Sequence, residues 1–406
     1  METIQLVEHE SRSIELTSSE ATDLSSAAGD RLRIGLSGVD GRYTITATSH
    51  VGVIMGGSVS VIVHPKVPLR NLFLMLGVSP PNFDDTWFGF GHDADLLTIM
   101  AAVFSHAVDR ATARGVVRGY RHTEERLLSP RGRIDIVEQM RRPALASPIA
   151  CRFDEYTADV LSNRALVAAM DRIRRMPGLN PDLRNRIHRL DARFQEVAHV
   201  NVGAHAVERW APTRTDSHYR QAMHLASLIL RHVSLGHRIG ASSAASFTLD
   251  MNLLFQDFVT DRLRKALRGR LDVVAEPPVA LATRNRLKMK PDVVFRQSNR
   301  DVYVGDVKYK LSSGPARMSD YYQLLAYTTA MDLGEGVLIY AQDPGDLDEL
   351  IGGKPVHSAE IRHAGKHLHV YRVPLAGTNE EVEHEIEALA HWIRWRAVTR
   401  GDASAA

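Results

Sequence analysis

Three charged side chains stand where two short strands should be apolar. In KPDVVFRQSNRDVYVGDVKYK, Lys290 to Lys310, the polar turn RQSNR separates two strand-like runs, yet Asp292, Asp306 and Lys308 fall within or against them. Residues two apart in a strand share a face, so Val302, Val304, Asp306, Lys308 and Lys310 line one side and Tyr303, Val307 and Tyr309 the other. The first side begins apolar and ends charged, the pattern of a strand that leaves a core and opens into a cleft. Paired as a hairpin, the two runs bring Asp292 to the same point. Two converging carboxylates repel each other and raise a pKa unless a cation or a shared proton joins them. A hard divalent ion resolves this: Mg²⁺, with Mn²⁺ as a substitute, accepts one or two carboxylates, keeps several waters and takes phosphate oxygens, which suits phosphodiester hydrolysis. Lys308 then has two candidate tasks, orienting or deprotonating the attacking water and stabilising charge that develops on the phosphate.

The flanking segments supply the elements such a site requires. MNLLFQDFVTDRLRKAL predicts an amphipathic helix with Leu253, Leu254, Phe258, Leu263 and Leu267 facing inward. Strands over LDVVAE, KPDVVF and DVYVGDVKY follow, then a helix over MSDYYQLLAYTTAMDL and a strand over GVLIYA, an αβββαβ order from about Leu249. A hairpin over EIRHAGKHLHVYRVPL comes next. The last helix opens on a capping box, Thr378 and Glu381, and buries Val382, Ile386, Leu389 and Ile393. Trp392 and Trp395 are expected to pack there, and His363, His367 and His369 of the hairpin to be surface histidines rather than metal ligands.

Upstream, Gln5 to Val63 reads as a small β domain, with strands over RLRIGL, YTITAT, HVGVIMG and SVSVIVHP and a tight hairpin at Gly56-Gly57. Helical periodicity covers Asn71 to Gly77 and HDADLLTIMAAVFSHAVDRATARGVVRGY, and GYRHTEERLLSPRGRIDI predicts a hairpin turning at SPRG. Tyr156 to Ile239 is mostly helical, broken at MPGLNPDL and WAPTRTDS. Its His218, His224, His232 and His237 have no metal-ligand spacing and are expected on solvated helix faces.

The 406-residue length favours two or three domains. A net charge of +2 means that affinity for nucleic acid must come from local patches, and between Asp261 and Lys310 basic residues outnumber acidic ones by about two to one. The single cysteine, Cys151, excludes an internal disulfide and any zinc site built on cysteine pairs. METIQLVEHE lacks a basic n-region and an apolar h-region, and no apolar run is long enough to span a bilayer, so a cytoplasmic protein is expected.

The pair PD, thirteen intervening residues and DVK resemble the signature of the PD-(D/E)xK nucleases, and Gln323 with Tyr327 is similar to the Q-x-x-x-Y element of RecB-like members. The resemblance implies catalytic roles for Asp292, Asp306 and Lys308, supporting roles for Gln323 and Tyr327, and metal-holding positions at Asp292, Asp306 and Val307. HVGVIMGGSVSVIVHPKVPLRNLFLML, SPRGRIDI, CRFDEYTADVLSNRALVAAM and DMNLLFQDFV extend the resemblance to the McrC family, nuclease subunits of McrBC restriction systems. It implies a multidomain α+β protein: an N-terminal β-rich domain over 1–92 that docks on a partner, a mostly helical region with a β-hairpin over 93–245, and a C-terminal α/β restriction-endonuclease-like domain over 246–400. It further implies an AAA+ GTPase or ATPase of McrB type as partner, modified double-stranded DNA as substrate, and Mg²⁺ as cofactor. The chain has no G-x-x-x-x-G-K-[ST] and so is not itself that motor. One departure concerns the helix glutamate common after the phenylalanine of this family: Gln256 stands there, with Asp257 next to it and turned about 100° around the helix. Two rival readings follow, a non-catalytic activator that binds motor and DNA, and a stand-alone RecB-like repair nuclease.

Overall fold

The computed structural model describes residues 2–39, 41–78, 96–141, 147–176, 178–235, 245–281, 287–310, 317–342 and 355–401. They form two compact units. The first holds the described residues of Met1–Thr48, Gly52–His64 and Pro80–Thr248, the second those of Ser49–Val51, Pro65–Ser79 and Leu249–Ala406. Among the described residues no helix is long and apolar enough to cross a membrane.

The chain opens with β1 (Glu2–Val7), β2 (Ser11–Glu15), α1 (Ser18–Ala28), β3 (Leu32–Leu36), β4 (Arg42–Ala47), β5 (His50–Gly56) and β6 (Val59–His64). The four strands expected in this stretch are β3 to β6, and β5 turns into β6 through Gly57, at φ 63°, and Ser58. Helix α1 corrects the purely β reading. Its signal was a capping box: Thr17 N–H donates to Glu20 Oε2 at 3.0 Å, Glu20 N–H donates to Thr17 Oγ1 at 3.2 Å, and Ala21, Leu24 and Ala28 form the buried face.

After α2 (Leu69–Met75), which belongs to the second unit, come α3 (Leu96–Ala111), β7 (Gly119–Leu127), β8 (Arg133–Ile134), α4 (Ile136–Met140), β9 (Ile149–Thr157), α5 (Leu161–Arg174), α6 (Pro181–Asp191), α7 (Ala204–Glu208), α8 (Arg220–His232), β10 (Val233–Leu235) and β11 (Ala245–Asp250). The expected start of α3 at 92–95 lies outside the described residues, as does His237; His218 and His224 are exposed and His232 half-buried. Three sheets result, in strand order β1-β6-β5-β11-β10, β2-β4-β3 and β7-β9-β8. Gly52 is required where β5 meets β11, because its φ is +129° and a Cβ there would overlap Phe247 O. The hairpin expected between β7 and β8 does not form. β9 lies between them and pairs with β7 along its whole length, Gly119 opposite Thr157 to Leu127 opposite Ile149, a ladder that the two residues of β8 cannot match.

The second unit continues with α9 (Met251–Ala266), β12 (Asp272–Ala275), β13 (Val279–Ala280), β14 (Lys288–Met289), β15 (Val293–Gln297), β16 (Arg300–Lys308), α10 (Met318–Ala330), β17 (Glu335–Gln342), β18 (His357–Ile361), β19 (Lys366–Pro374) and α11 (Asn379–Gly401). The expected αβββαβ order holds, with the short β13–β14 hairpin inserted. A six-stranded mixed sheet runs β12-β15-β16-β17-β19-β18, with β16, β17 and β19 mutually parallel. On one face Val294, Val304, Leu338 and Tyr340 pack with Leu324 and Tyr327 of α10. On the other, Tyr303 and Tyr371 meet Trp392 of α11, and Tyr309 meets Phe255 of α9. Buried α9 residues fall at Met251, Phe255, Phe258, Val259 and Leu263, three or four apart, which turns Leu253 outward to 43% exposure against expectation. His369 is likewise not a surface residue: Ser358 and Glu335 flank its ring, and Glu335 also accepts Arg396 Nε and Nη2 at 2.6 Å. Trp392 packs as expected, whereas Trp395 is exposed beside the Arg396 guanidinium.

In the first unit Asp159, buried between β9 and α5, is the point where several segments meet. It accepts Arg164 Nε and Nη2 at 2.6 Å and the Ala198 N–H at 3.0 Å, and pairs closely with Arg121 of β7. The hydrogen bonds from Arg164 hold its carboxyl down at about 2, outweighing the upward push of burial. A depressed native pKa gives stability that is present above the ordinary value of 3.8 and lost as pH falls toward about 2. Asp159→Asn is expected to lower unfolding free energy at pH 7 by on the order of 1–2 kcal/mol and to flatten the acid limb of the urea-derived stability curve. Identical acid limbs in parent and variant would contradict this.

Candidate active site

The turn between β15 and β16 sets the geometry. Ser298 and Asn299 both take positive φ, 49° and 66°, the conformation of a two-residue hairpin that follows the twist of its strands. The resulting register places Val293 opposite Gly305 and Val294 opposite Val304, so one step further along Asp292 faces Asp306. Val294 and Val304 lie on the α10 face, and the alternation of the strands carries Asp292, Asp306 and Lys308 to that same face.

Asp306 is wholly inaccessible to solvent. Lys308 Nζ donates to its Oδ1 at 3.0 Å; Oδ2 is 2.9 Å from the same nitrogen yet accepts no hydrogen bond among the described residues. Asp292 Oδ2 accepts the Val307 N–H at 2.8 Å and lies 3.6 Å from Lys308 Nζ. Burial, reinforced by the neighbouring charge of Asp292, pushes the Asp306 carboxyl up to about 7, with Lys308 pulling the other way. Burial alone would lower the Lys308 ammonium, but the carboxylates of Asp306 and Asp292 outweigh it and raise it above its ordinary value.

Gln323 and Tyr327 reach this place through the backbone. Gln323 Nε2 donates to Tyr327 Oη at 2.6 Å, and that hydroxyl donates to the Lys290 carbonyl at 3.2 Å. The pair thus anchors the chain two residues ahead of Asp292. Burial raises the Tyr327 phenol above its ordinary value, so it stays a donor. Val307 contributes its N–H to Asp292, and its side chain is buried on the opposite face.

Strand and helix patterns did not single out two further groups. Asp320, in the first turn of α10, accepts both Lys310 Nζ and Tyr340 Oη at 2.5 Å; burial pushes its carboxyl up, but these bonds leave it below the ordinary range. The D-x-K-x-K spacing, which puts Lys310 on the face of Asp306, was its only trace. Gln256 of α9 donates Nε2 to Glu276 Oε1 at 3.2 Å, and the Glu276 N–H donates to the Asp292 carbonyl at 3.1 Å. Asp257 is exposed.

The donor set fits a hard divalent cation. Two carboxylates converge on one lysine, and among the described residues the buried Asp306 Oδ2 lacks the hydrogen bond that a buried oxygen normally has. A second cluster, Asp171, Asp191 and His199 in the first unit, is held by an arginine, Arg174, which pairs with both aspartates, and Asp191 Oδ1 likewise accepts no hydrogen bond among the described residues.

The family described as McrBC 5-methylcytosine restriction system component matches residues 45–341. No curated protein matches the chain. Among solved structures, a chain from the refined half-complex of a tetradecameric assembly of Thermococcus gammatolerans McrB AAA+ hexamers with bound McrC is 17% identical, with a TM-score of 0.59, and the match covers 95% of this chain and 99% of that one. A chain from the cryo-EM structure of the Thermococcus gammatolerans McrBC complex is 20% identical over 65% of this chain and 88% of that one, with a TM-score of 0.42. The first likeness is one of fold. With the family pattern running over well more than half of its length, from β4 to β17, the chain belongs to the McrBC 5-methylcytosine restriction system component family.

Proposed function

We propose that this protein is the McrC-type subunit of an McrBC-like restriction system, a Mg²⁺-dependent endonuclease whose PD-(D/E)xK domain is the second unit and whose activity is switched on by an AAA+ partner of McrB type. The observation that carries the reading is the meeting of Asp292, Asp306 and Lys308 on one face of the sheet, with an Asp306 oxygen that accepts no hydrogen bond among the described residues. The fold it shares with a chain from an assembly of McrB hexamers with bound McrC supports a motor partner. Tyr120, Ile134, Ile136, Val137 and Met140, exposed apolar residues of β7, β8 and α4, supply the first unit with a surface suited to protein contact.

Asp292 and Asp306 would hold the cation, which supplies charge neutralisation at the scissile phosphate and activation of the attacking water. Lys308, beside both carboxylates, orients or deprotonates that water and offsets charge that develops on the phosphate. The Val307 N–H fixes Asp292. Gln323 and Tyr327 hold the turn that delivers it, through Lys290. Arg264, Arg268, Arg270, Lys288 and Lys290 lie in the basic stretch of the same unit and supply phosphate contacts whose strength falls with salt.

Cleavage of modified DNA in Mg²⁺, with the cognate ring protein and its nucleotide present, tests the reading. Asp306→Ala is expected to abolish cutting, and Lys308→Ala to slow it about 10²–10³-fold. An Asp306→Ala protein that cuts like the parent sinks the assignment.

The electrostatics carries its own expectation for the cation-free protein. A carboxyl raised from 3.8 to about 7 binds a proton in the native state that the unfolded chain has released, so its contribution to stability declines as pH rises through that window. Removing the like charge lowers the pKa. The Asp306 carboxyl resonance, followed by ¹³C NMR, should therefore titrate near neutrality in the parent and at distinctly lower pH in Asp292→Asn; coincident titrations would refute this.

A further inference from the structure

Helix α5 and its C-cap end on three arginines, Arg172, Arg174 and Arg175, which line a cleft of about 700 Å³ within the first unit. His199, Asn201 and Ser234 complete its polar wall. α5 packs along α8, and the end of that contact brings Arg172 to the last turn of α8, where its Nη1 donates to the carbonyls of Leu230 and, at 3.3 Å, Val233. Its Nη2 donates to Asn201 Oδ1 at 3.4 Å. These bonds fix the guanidinium, yet every partner is neutral.

The charges of the cleft do not balance. Asp171 is the one acid among the residues that line it; Arg174 pairs with it and with Asp191, which is not part of the lining, and His199 Nδ1 lies 3.0 Å from Asp171 Oδ2. Arg172 and Arg175 are left over: among the described residues neither has a carboxylate partner. Burial lowers the Arg172 guanidinium below its ordinary value, since no acid offsets the lost hydration. Hydrogen-bond donors are in surplus as well. Arg172 uses three of its five N–H groups, His199 turns Nδ1 to Asp171 and leaves Nε2, and Asn201 accepts through Oδ1 and leaves its NH₂.

We infer that this cleft binds the phosphodiester backbone of DNA, with Arg172 and Arg175 supplying the charge and His199 and Asn201 the neutral hydrogen bonds. That the polymer is DNA rests on the nuclease reading above, to which the inference adds a contact outside the second unit. Planar guanidinium groups match phosphate oxygens, and such contacts hold a duplex in register without reading its sequence. A free nucleotide offers the same oxygens but also carries a base. The apolar lining is Ala168, Val200 and Val233, with no Phe, Tyr or Trp among the described residues, so a base finds no such ring to stack on.

Fluorescence anisotropy of a labelled duplex, titrated with the full-length chain in EDTA over a series of salt concentrations, tests the inference without cleavage. Arg175 is exposed and its side chain has no partner among the described residues, so its replacement leaves the packing of α5 intact. Arg175→Glu is expected to weaken binding about tenfold, equally for methylated and unmethylated duplexes, and to lower the slope of log K against log salt by about one, at an unchanged melting temperature. Arg175→Lys, which keeps the charge, stays close to the parent. Equal affinity and slope in Arg175→Glu and the parent overturn the inference, and the nuclease reading stands if Asp306→Ala has abolished cutting. Should Arg175→Glu behave as expected while Asp306→Ala still cuts, the cleft stands and the nuclease site falls. Lost affinity with a lowered melting temperature makes Arg175 a structural residue and overturns the inference, as does a parent that binds no duplex. A variant that keeps the duplex but loses a fluorescent GTP probe assigns the cleft to a nucleotide and overturns it too.

Discussion

A carboxylate with no exposure to water governs the second unit. Moving an ion such as Asp306 out of solvent is costly unless opposite charge and hydrogen bonds return what hydration gave. Here the return is partial: Lys308 Nζ lies within 3.0 Å of both oxygens but donates only to Oδ1, Asp292 adds a like charge, and Oδ2 accepts no hydrogen bond among the described residues. The raised pKa of Asp306 and the raised pKa of Lys308 are two expressions of that imbalance. Under the proposed function the missing charge comes from a cation outside the chain, and this links the packing of a β-sheet to the proposed chemistry.

The scaffold around Asp306 is built to preserve the imbalance rather than relax it. Position and register come from the Ser298-Asn299 turn, while the valines and Phe295 of β15 fill both faces of the sheet and keep water away. On α10, Tyr327 and Gln323 spend their hydrogen bonds on the Lys290 carbonyl rather than on the aspartates. Asp320 draws Lys310 aside in the same manner, so a second ammonium on the same strand does not quench the pair. On the far face the Glu335, His369 and Arg396 cluster is fully matched, two cationic or titratable partners around one buried acid. Under the proposed function, the contrast between these two buried acids separates a structural tie from a reactive centre.

Membership of the McrBC family joins this unit to a first unit with its own sheets and helices, tied internally by Asp159. Under the proposed function the labour divides along that line. The second unit carries the ionisable cluster, and the first exposes apolar side chains such as Ile136, Val137 and Met140 that a lone soluble domain would hide.

Local patterns were enough to find Asp292, Asp306 and Lys308, because strand alternation and hairpin pairing act between near neighbours in the chain. For the same reason β3 to β6, α9, α10 and the Thr378 capping box could be read directly, and α1 could have been, from Thr17 and Glu20. Long-range contacts were not legible. That β9 would enter between β7 and β8, that His369 would be buried against Glu335, or that Leu253 would face out while Phe255 faced in depended on which surfaces met after folding. Glu276 beside Gln256, Lys310 beside Asp320 and the Lys290 carbonyl beside Tyr327 lie 20, 10 and 37 residues away in the chain. Residue types and their spacing thus determined which charges the molecule would carry into a sheet. Tertiary packing alone decided which of those charges would be satisfied, since burial and hydrogen bonding are properties of surfaces brought together and not of any one segment.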